Sequence, residues 1–284
     1  MLELDTSSAP PIPGSVIAPT KPALLQTTEH HLCAGCGEPV VLRLIAELIE
    51  EMGLAQRSVG VVGHGCYGSF VTMLDVDILQ CLHWRAPSCA TGIKRMRPEC
   101  MVFTMTGDGD MVNEGLQEVL HTAARGEKVT AILMNNGVFG DTGGHMTAAT
   151  VLGQRTKTSL EGRDADYHGY PIPIADLVAR LDGASFVARA AVHNAGVIAQ
   201  AKRLMRRAIE HQLEGRGFGL LEVLTMCPTG WFVEPAEGPD YMIDTLEQTY
   251  PLGVLKSERR EPGIPANSER GPSGPAAEPP RAER

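Results

Sequence analysis

The 284-residue sequence lacks any apolar run long enough to cross a bilayer, which excludes a membrane protein built on spanning helices. It also lacks a basic surplus. Against 34 Asp and Glu stand only 25 Lys and Arg, and the resulting charge of −9 disfavours a general nucleic-acid or anionic-membrane surface. The opening MLELDTSSAPPIPG has neither the basic start nor the apolar core of a secretory signal, so a cytoplasmic location is expected. No internal repeat is visible. Residues 1–25 carry five prolines and little periodicity, and read as an extended N-terminal arm. The stretch 257–284 has six prolines, one isoleucine and no aromatic residue, too little apolar surface to order itself, and is predicted to be a disordered tail. Residues 26–256 are long enough to form one domain with its own core.

Inside that span, apolar runs alternate with helical periodicities. Val41, Leu44, Ile45, Leu48 and Ile49 recur at helical spacing over residues 38–52, and Gly53 is a natural stop. Further helices are predicted over 86–96 and 195–211, and strands over 58–62, 78–82, 101–106, 129–134, 185–190 and 219–224. The alternation predicts an α/β fold, a parallel sheet flanked by helices on both faces. Residues 137–170 are rich in Gly and Thr with little apolar pattern, and so long an irregular segment inside a domain is usually functional.

Residues 107–136 tie spacing to chemistry. Gly107-Asp108-Gly109-Asp110 ends one predicted strand and opens a helix, and the next strand delivers Asn135 and Asn136 to the same sheet edge. Glycines let backbone approach a phosphate, and a helix N-terminus presents free N–H groups to it. A carboxylate and an amide oxygen suit a hard cation such as Mg²⁺. The stretch therefore reads as a site for a diphosphate and a divalent metal, and its spacing resembles the thiamine diphosphate (ThDP) motif.

Seven cysteines in a reducing compartment point away from disulfides. Cys33 and Cys36 have ligand-pair spacing, while Cys66 and Cys227 each follow a predicted strand. Four thiolates from three loops suit either a [4Fe–4S] cluster or zinc, and the plain alternative is small buried residues. Cys81, Cys89 and Cys100 lie within predicted elements and read as inert core thiols. Gly63 to Gly68 satisfies G-x-G-x-x-G, but the acidic residue that a dinucleotide site needs is missing, since His83-Trp84-Arg85 occupies its place.

Cys33-Ala34-Gly35-Cys36-Gly37, Gly65-Cys66, Ala90-Thr91-Gly92-Ile93-Lys94, Gly107-Asp108-Gly109-Asp110, Asn135-Asn136, Thr142-Gly143-Gly144, Gly169-Tyr170-Pro171 and Cys227-Pro228-Thr229 occur in order. In this the chain resembles the β subunits of 2-oxoacid:ferredoxin oxidoreductases, most of all the 2-oxoisovalerate and 2-oxoglutarate types. The resemblance implies a ThDP-binding subunit with a [4Fe–4S] cluster beside the cofactor. It would take part in CoA-dependent oxidative decarboxylation of a 2-oxoacid, with ferredoxin as electron acceptor. Asp108 and Asn136 fall on the Mg²⁺ side-chain ligands, Val138 on the carbonyl ligand, and Cys33, Cys36, Cys66 and Cys227 on the cluster ligands. The expected cofactor-facing set is His64, Gly65, Gly107, Asp108, Gly109, Asp110 and Asn136, with His83 and Arg85 as candidate catalytic contacts. The resemblance further implies an α subunit with the pyrimidine-binding domain and the activating Glu, and accompanying γ and δ subunits. Trp84 and His145 depart from the family pattern near the expected substrate position. A non-redox ThDP decarboxylase or carboligase would keep Asp108 and Asn136 without needing the four cysteines together, and a zinc-stapled binding protein would keep only the cysteines.

Overall fold

Among the described residues nine strands form, most of them where the chain runs apolar or β-branched: β1 Ser58–Val62, β2 Asp77–Gln80, β3 Met101–Gly107, β4 Thr130–Asn135, β5 Val138–Phe139, β6 His145–Met146, β7 Ala184–Ala191, β8 Phe218–Leu224 and β9 Gly253–Ser257. The computed structural model describes residues 21–27, 29–83 and 85–257. Seven strands make one sheet in the order β2-β1-β3-β4-β8-β7-β9, and β5 pairs with β6 in a separate hairpin. All neighbours in the large sheet run parallel except β9, which lies antiparallel on β7. Strands β4, β7 and β8 are buried along their whole length, as expected where helices cover both faces.

The two faces carry separate cores. Side chains alternate across the pleat, so Phe103, Met105 and Ile132 point to one face with helices Glu38–Glu51 and Ala195–Leu213. Val102, Ala131 and Leu133 point to the other, with helices Ala86–Met96, Leu116–Ala124 and Ile174–Ala179.

The predicted strands and helices are all present within a few residues of their expected bounds. Two features add detail. Leu25 is buried and bridges Leu74, and the amide of Gln26 donates to the Met73 carbonyl, so residues 21–26 are anchored to the domain. The sheet is mostly parallel as expected, with β9 added antiparallel at its last edge after the helices Gly238–Asp244 and Leu246–Thr249. Their apolar positions, Met242, Leu246 and Tyr250, are too sparse to announce themselves but bury fully. Residues 1–20 and the predicted tail from 258 lie outside the described residues.

The segment 137–170 is irregular yet held from within. The buried Arg163 donates through Nη1 to the carbonyls of Thr147, Ala148 and Thr150, through Nε to Gly169, and through Nη2 to Tyr170. One guanidinium thereby satisfies backbone acceptors that no ladder reaches.

A buried ionic pair underlies the sheet edge. Glu222 on β8 is fully buried; its Oε2 accepts from Arg189 Nε at 2.8 Å and its Oε1 from Asn135 Nδ2 at 2.7 Å. Arg189 also donates to Asp176 and to the Pro251 carbonyl. Arg189→Met should lower unfolding free energy by about 3–5 kcal/mol, since it strands a buried carboxylate. Urea midpoints of the cofactor-free chain test this, and the Arg189→Met/Glu222→Gln double variant should recover much of the loss.

Candidate functional site

Because β1, β3, β4 and β8 are parallel neighbours, their C-terminal ends open onto one crevice, the usual ligand position in such sheets. The loop after β1 brings His64, Cys66 and Tyr67, that after β3 brings Asp108 and Asp110, that after β4 brings Asn136 and Val138, and that after β8 brings Cys227. The Cys33–Cys36 loop joins them through the Gly37 amide, which donates to the Met226 carbonyl at 3.0 Å. A side chain at Gly37 would collide with the Met226 amide at 2.7 Å, so only glycine permits this approach.

Two cavities adjoin in the crevice. The first, ≈ 280 Å³, is lined among others by His64, His83, Asp108, Asp110, Asn136 and Val138. The second, ≈ 210 Å³, is lined by Cys33, Cys36, Cys66 and Cys227. Glu38, Cys66, Asn136, Gly140 and Asp141 belong to both walls. Among the described residues neither wall contains a lysine or arginine.

In the first cavity the buried Asp108 accepts from the Thr147 hydroxyl at 2.5 Å and the Asn136 amide at 3.4 Å. Burial pushes its carboxyl up to about 7, against the pull of those two donors. Asn136 Oδ1 accepts from the Val138 amide at 3.1 Å, and the Asn136 carbonyl accepts from Trp231 Nε1 at 2.7 Å. Asp110, also buried, accepts through Oδ2 from the His64 amide at 3.1 Å and the Tyr67 hydroxyl at 3.0 Å. Its Oδ1 lies 3.4 Å from His83 Nδ1, which is 3.5 Å from Glu114 Oε2. A side chain at Gly63 would place a carbon 1.7 Å from Asp110 Oδ2, so the first glycine of G-x-G-x-x-G makes room for a carboxylate of this chain.

In the second cavity the thiols face one another. Burial pushes Cys66 and Cys227 up to about 12 and Cys36 higher still, with the neighbouring carboxylates and thiols adding to the effect. A bound cation centre would reverse that shift, as it does for any coordinating thiol. Four thiols converging from three loops suit either tetrahedral zinc or a [4Fe–4S] cluster. The carboxylate and amide oxygens around Asp108 likewise fit a hard divalent ion.

A family profile described as thiamine pyrophosphate enzyme, C-terminal TPP binding domain, matches residues 65–223. The chain is 35% identical over 239 residues to the 2-oxoglutarate synthase subunit KorB of Archaeoglobus fulgidus, covering 81% of this chain and 85% of that one. It belongs to the 2-oxoacid:ferredoxin oxidoreductase family. Identity reaches 37% over 245 residues with the ketoisovalerate oxidoreductase subunit VorA of Methanothermobacter marburgensis, where 85% of this chain matches 51% of the relative. The chain thus spans about half the length of its VorA relatives. In fold, it superposes on a chain of the 2-oxoglutarate:ferredoxin oxidoreductase from Magnetococcus marinus, solved with 2-oxoglutarate, coenzyme A and succinyl-CoA bound. The TM-score is 0.72 at 23% identity, over 85% of this chain and 86% of the other.

For a family member, the crevice gathers most of the expected residues. His64, Gly65, His83, Gly107, Asp108, Gly109, Asp110, Asn136 and Val138 line the first cavity and all four cysteines the second. Arg85 is the exception: its guanidinium pairs with Glu118 at the surface, away from both cavities. The turn also differs from expectation. Asp108 leads into a π-helical turn, Gly109–Glu114, before the α-helix starts at Leu116, and such turns favour functional sites. Gly109 is required by the Phe139 ring, which a side chain there would meet at 2.1 Å. Cys81 and Cys89 are only partly buried and their thiols interact, so neither is a plain core residue; Cys100 is buried as expected. Trp84 lies outside the described residues.

Glu38 was not singled out from the sequence, because an acid in a helix's first turn is ordinary there. The side chain is buried between the two cavities, and its Oε2 has no hydrogen-bond partner among the described residues. Burial, helped by the Asp108 and Asp141 carboxylates, pushes its carboxyl from 4.5 up to about 8. A carboxyl raised on folding contributes stability that is full below its unfolded value and lost as pH rises through the folded one. The cofactor-free chain should therefore lose on the order of a few kcal/mol through Glu38 between pH ~4.5 and ~8. Glu38→Gln should flatten that loss, read as a smaller gap between melting temperatures at about pH 5 and about pH 8.5.

Proposed function

We propose that this chain is the ThDP-binding β subunit of a cytoplasmic 2-oxoacid:ferredoxin oxidoreductase, active only with an α subunit that brings the pyrimidine-binding domain and the activating carboxylate. The assembly, with γ and δ subunits where present, converts a 2-oxoacid and coenzyme A to acyl-CoA and CO₂ and passes the electrons to ferredoxin. The observation that carries this reading is the shared wall: a carboxylate–amide cleft and a four-thiol cage meet at Glu38, Cys66, Asn136, Gly140 and Asp141. A non-redox ThDP enzyme has no use for the second cavity. Among the described residues no helix is long and apolar enough to cross a membrane.

Asp108, Asn136 and the Val138 carbonyl would hold Mg²⁺, and Cys33, Cys36, Cys66 and Cys227 a [4Fe–4S] cluster. When bound, ThDP supplies the electron sink for the carbanion left by decarboxylation, and the cluster a one-electron acceptor beside it. The chain's own residues do the rest. Thr147 orients the Asp108 carboxylate, and Asp110 fixes Tyr67 and the His64 backbone at the cleft wall. His83, set against Asp110 and Glu114, is the group on this wall best placed to hold or move a proton near the reacting carbon. The 2-oxoacid is 2-oxoisovalerate or 2-oxoglutarate.

Anaerobic co-purification with the α subunit should yield about four iron and four acid-labile sulfides per chain, with broad absorbance near 400 nm. Asp108→Ala should remove ThDP and Mg²⁺ retention while iron stays. Cys227→Ala should lose the cluster and ferredoxin reduction. Zinc in place of iron, or full iron content in Cys227→Ala, overturns the redox reading.

A further inference from the structure

The chain is acidic overall and both cavity walls are free of cations, yet two cations stand just outside the cysteine cage. Arg155 and Lys157 are exposed, and neither forms an ion pair among the described residues. Lys157 is tied to the cage by its backbone: its amide donates to the Gly144 carbonyl at 2.8 Å, and its Nζ lies 2.9 Å from where a side chain on Gly143 would begin. Gly143 lines the cage, Gly144 packs on Gly230, and a carbon on Gly230 would sit 2.9 Å from Cys227 Sγ. Glycine backbone, at Gly143, Gly144 and Gly230, links Lys157 to the loop that carries Cys227.

Phe232 completes the surface. It follows the buried Trp231, is 47% exposed, and at φ 60° is the one described non-glycine residue with positive φ. That left-handed backbone caps the short helix Pro228–Trp231. The Arg155 guanidinium lies over the ring at 5.9 Å, and its Nε donates to the Leu160 carbonyl, which steadies the loop. An exposed aromatic beside arginine is the usual make-up of a binding hot spot.

We infer that Arg155, Lys157 and Phe232 form the docking patch for an acidic iron–sulfur carrier of the ferredoxin class. The inference rests on the redox reading above. In that reaction RCOCOO⁻ and HS-CoA give RCO-S-CoA, CO₂, H⁺ and two electrons, which leave singly and reduce two one-electron carrier centres. Electron-transfer encounters are small and transient, and complementary charge raises their association rate more than their buried area does. Glycine backbone beside paired cations is where such a carrier comes nearest the cage.

The test uses the holoenzyme assembled with its partner subunits and an oxidised, acidic two-cluster bacterial ferredoxin as probe. Equilibrium binding by surface plasmon resonance should weaken at least about tenfold in Arg155→Glu/Lys157→Glu, and wild-type binding should weaken about tenfold between ~0.05 and ~0.5 M NaCl, with a flatter salt slope in the variant. Phe232→Ala should weaken binding a few-fold and leave the salt slope unchanged. Reduction of methyl viologen, a small acceptor that needs no docking, should stay within about twofold of wild type in each variant. Unchanged ferredoxin affinity in the double variant overturns the proposal. So does loss of subunit association together with viologen reduction, which assigns the surface to a subunit interface. A wild-type holoenzyme that binds ferredoxin through this patch but reduces neither acceptor overturns the redox reading and leaves the patch a ferredoxin contact of another kind.

Discussion

Acidic groups crowd one crevice without a cation of the chain's own to balance them, and the rest of the site is arranged around that constraint. Glu38 and Asp108 are buried, Cys36, Cys66 and Cys227 are largely so, and each is held toward its neutral form by lost hydration and by the others. Packing holds them together, because electrostatics alone would drive them apart. Bound multivalent cations, as proposed above, would relieve the crowding, and positive charge in the carboxylate–amide cleft or the thiol cage would lower the cost of acid in the wall that the two share.

The scaffold meets this constraint with parallel topology and glycine. Parallel pairing brings the ends of β1, β3, β4 and β8 to one edge although their loops are separated by dozens of residues. Glycine then removes atoms wherever two loops touch. Gly37 admits the Met226 amide, Gly63 the Asp110 carboxylate, and Gly109 the Phe139 ring. Beneath the edge, Glu222 takes hydrogen bonds from Arg189 and Asn135, so the turn carrying Asn136 rests on a buried ion pair. Stability and site geometry are coupled there, since a shift of Glu222 would reach the Asn135–Val138 turn directly.

Much of this was legible in the residues before the fold was known. The sheet elements could be read because buried parallel strands are continuous apolar runs, and the Asp108–Asn136 relation because one helix separates two neighbouring strands. The four cysteines could be grouped because each followed a strand or sat in a tight CxxC loop. The direction of Arg85 could not be read, because adjacency to His83 in sequence says nothing of which way a side chain turns, and Arg85 turns to Glu118. Strand β9 and the two helices before it carried too little periodicity to be seen.

Sequence alone therefore determined the fold class, the strand order's raw material and the candidate site residues, because these depend on local periodicity and on residue type at fixed spacing. Only tertiary structure decided how deeply Glu38 and Asp108 are buried, that Thr147 donates to Asp108 and Tyr67 to Asp110 in the cleft, that the four cysteines line one cavity, and that Arg155 lies over Phe232. Those are properties of contacts between distant segments. Burial, electrostatic coupling and surface juxtaposition arise from the packing of the whole chain and leave no mark in the order of its residues.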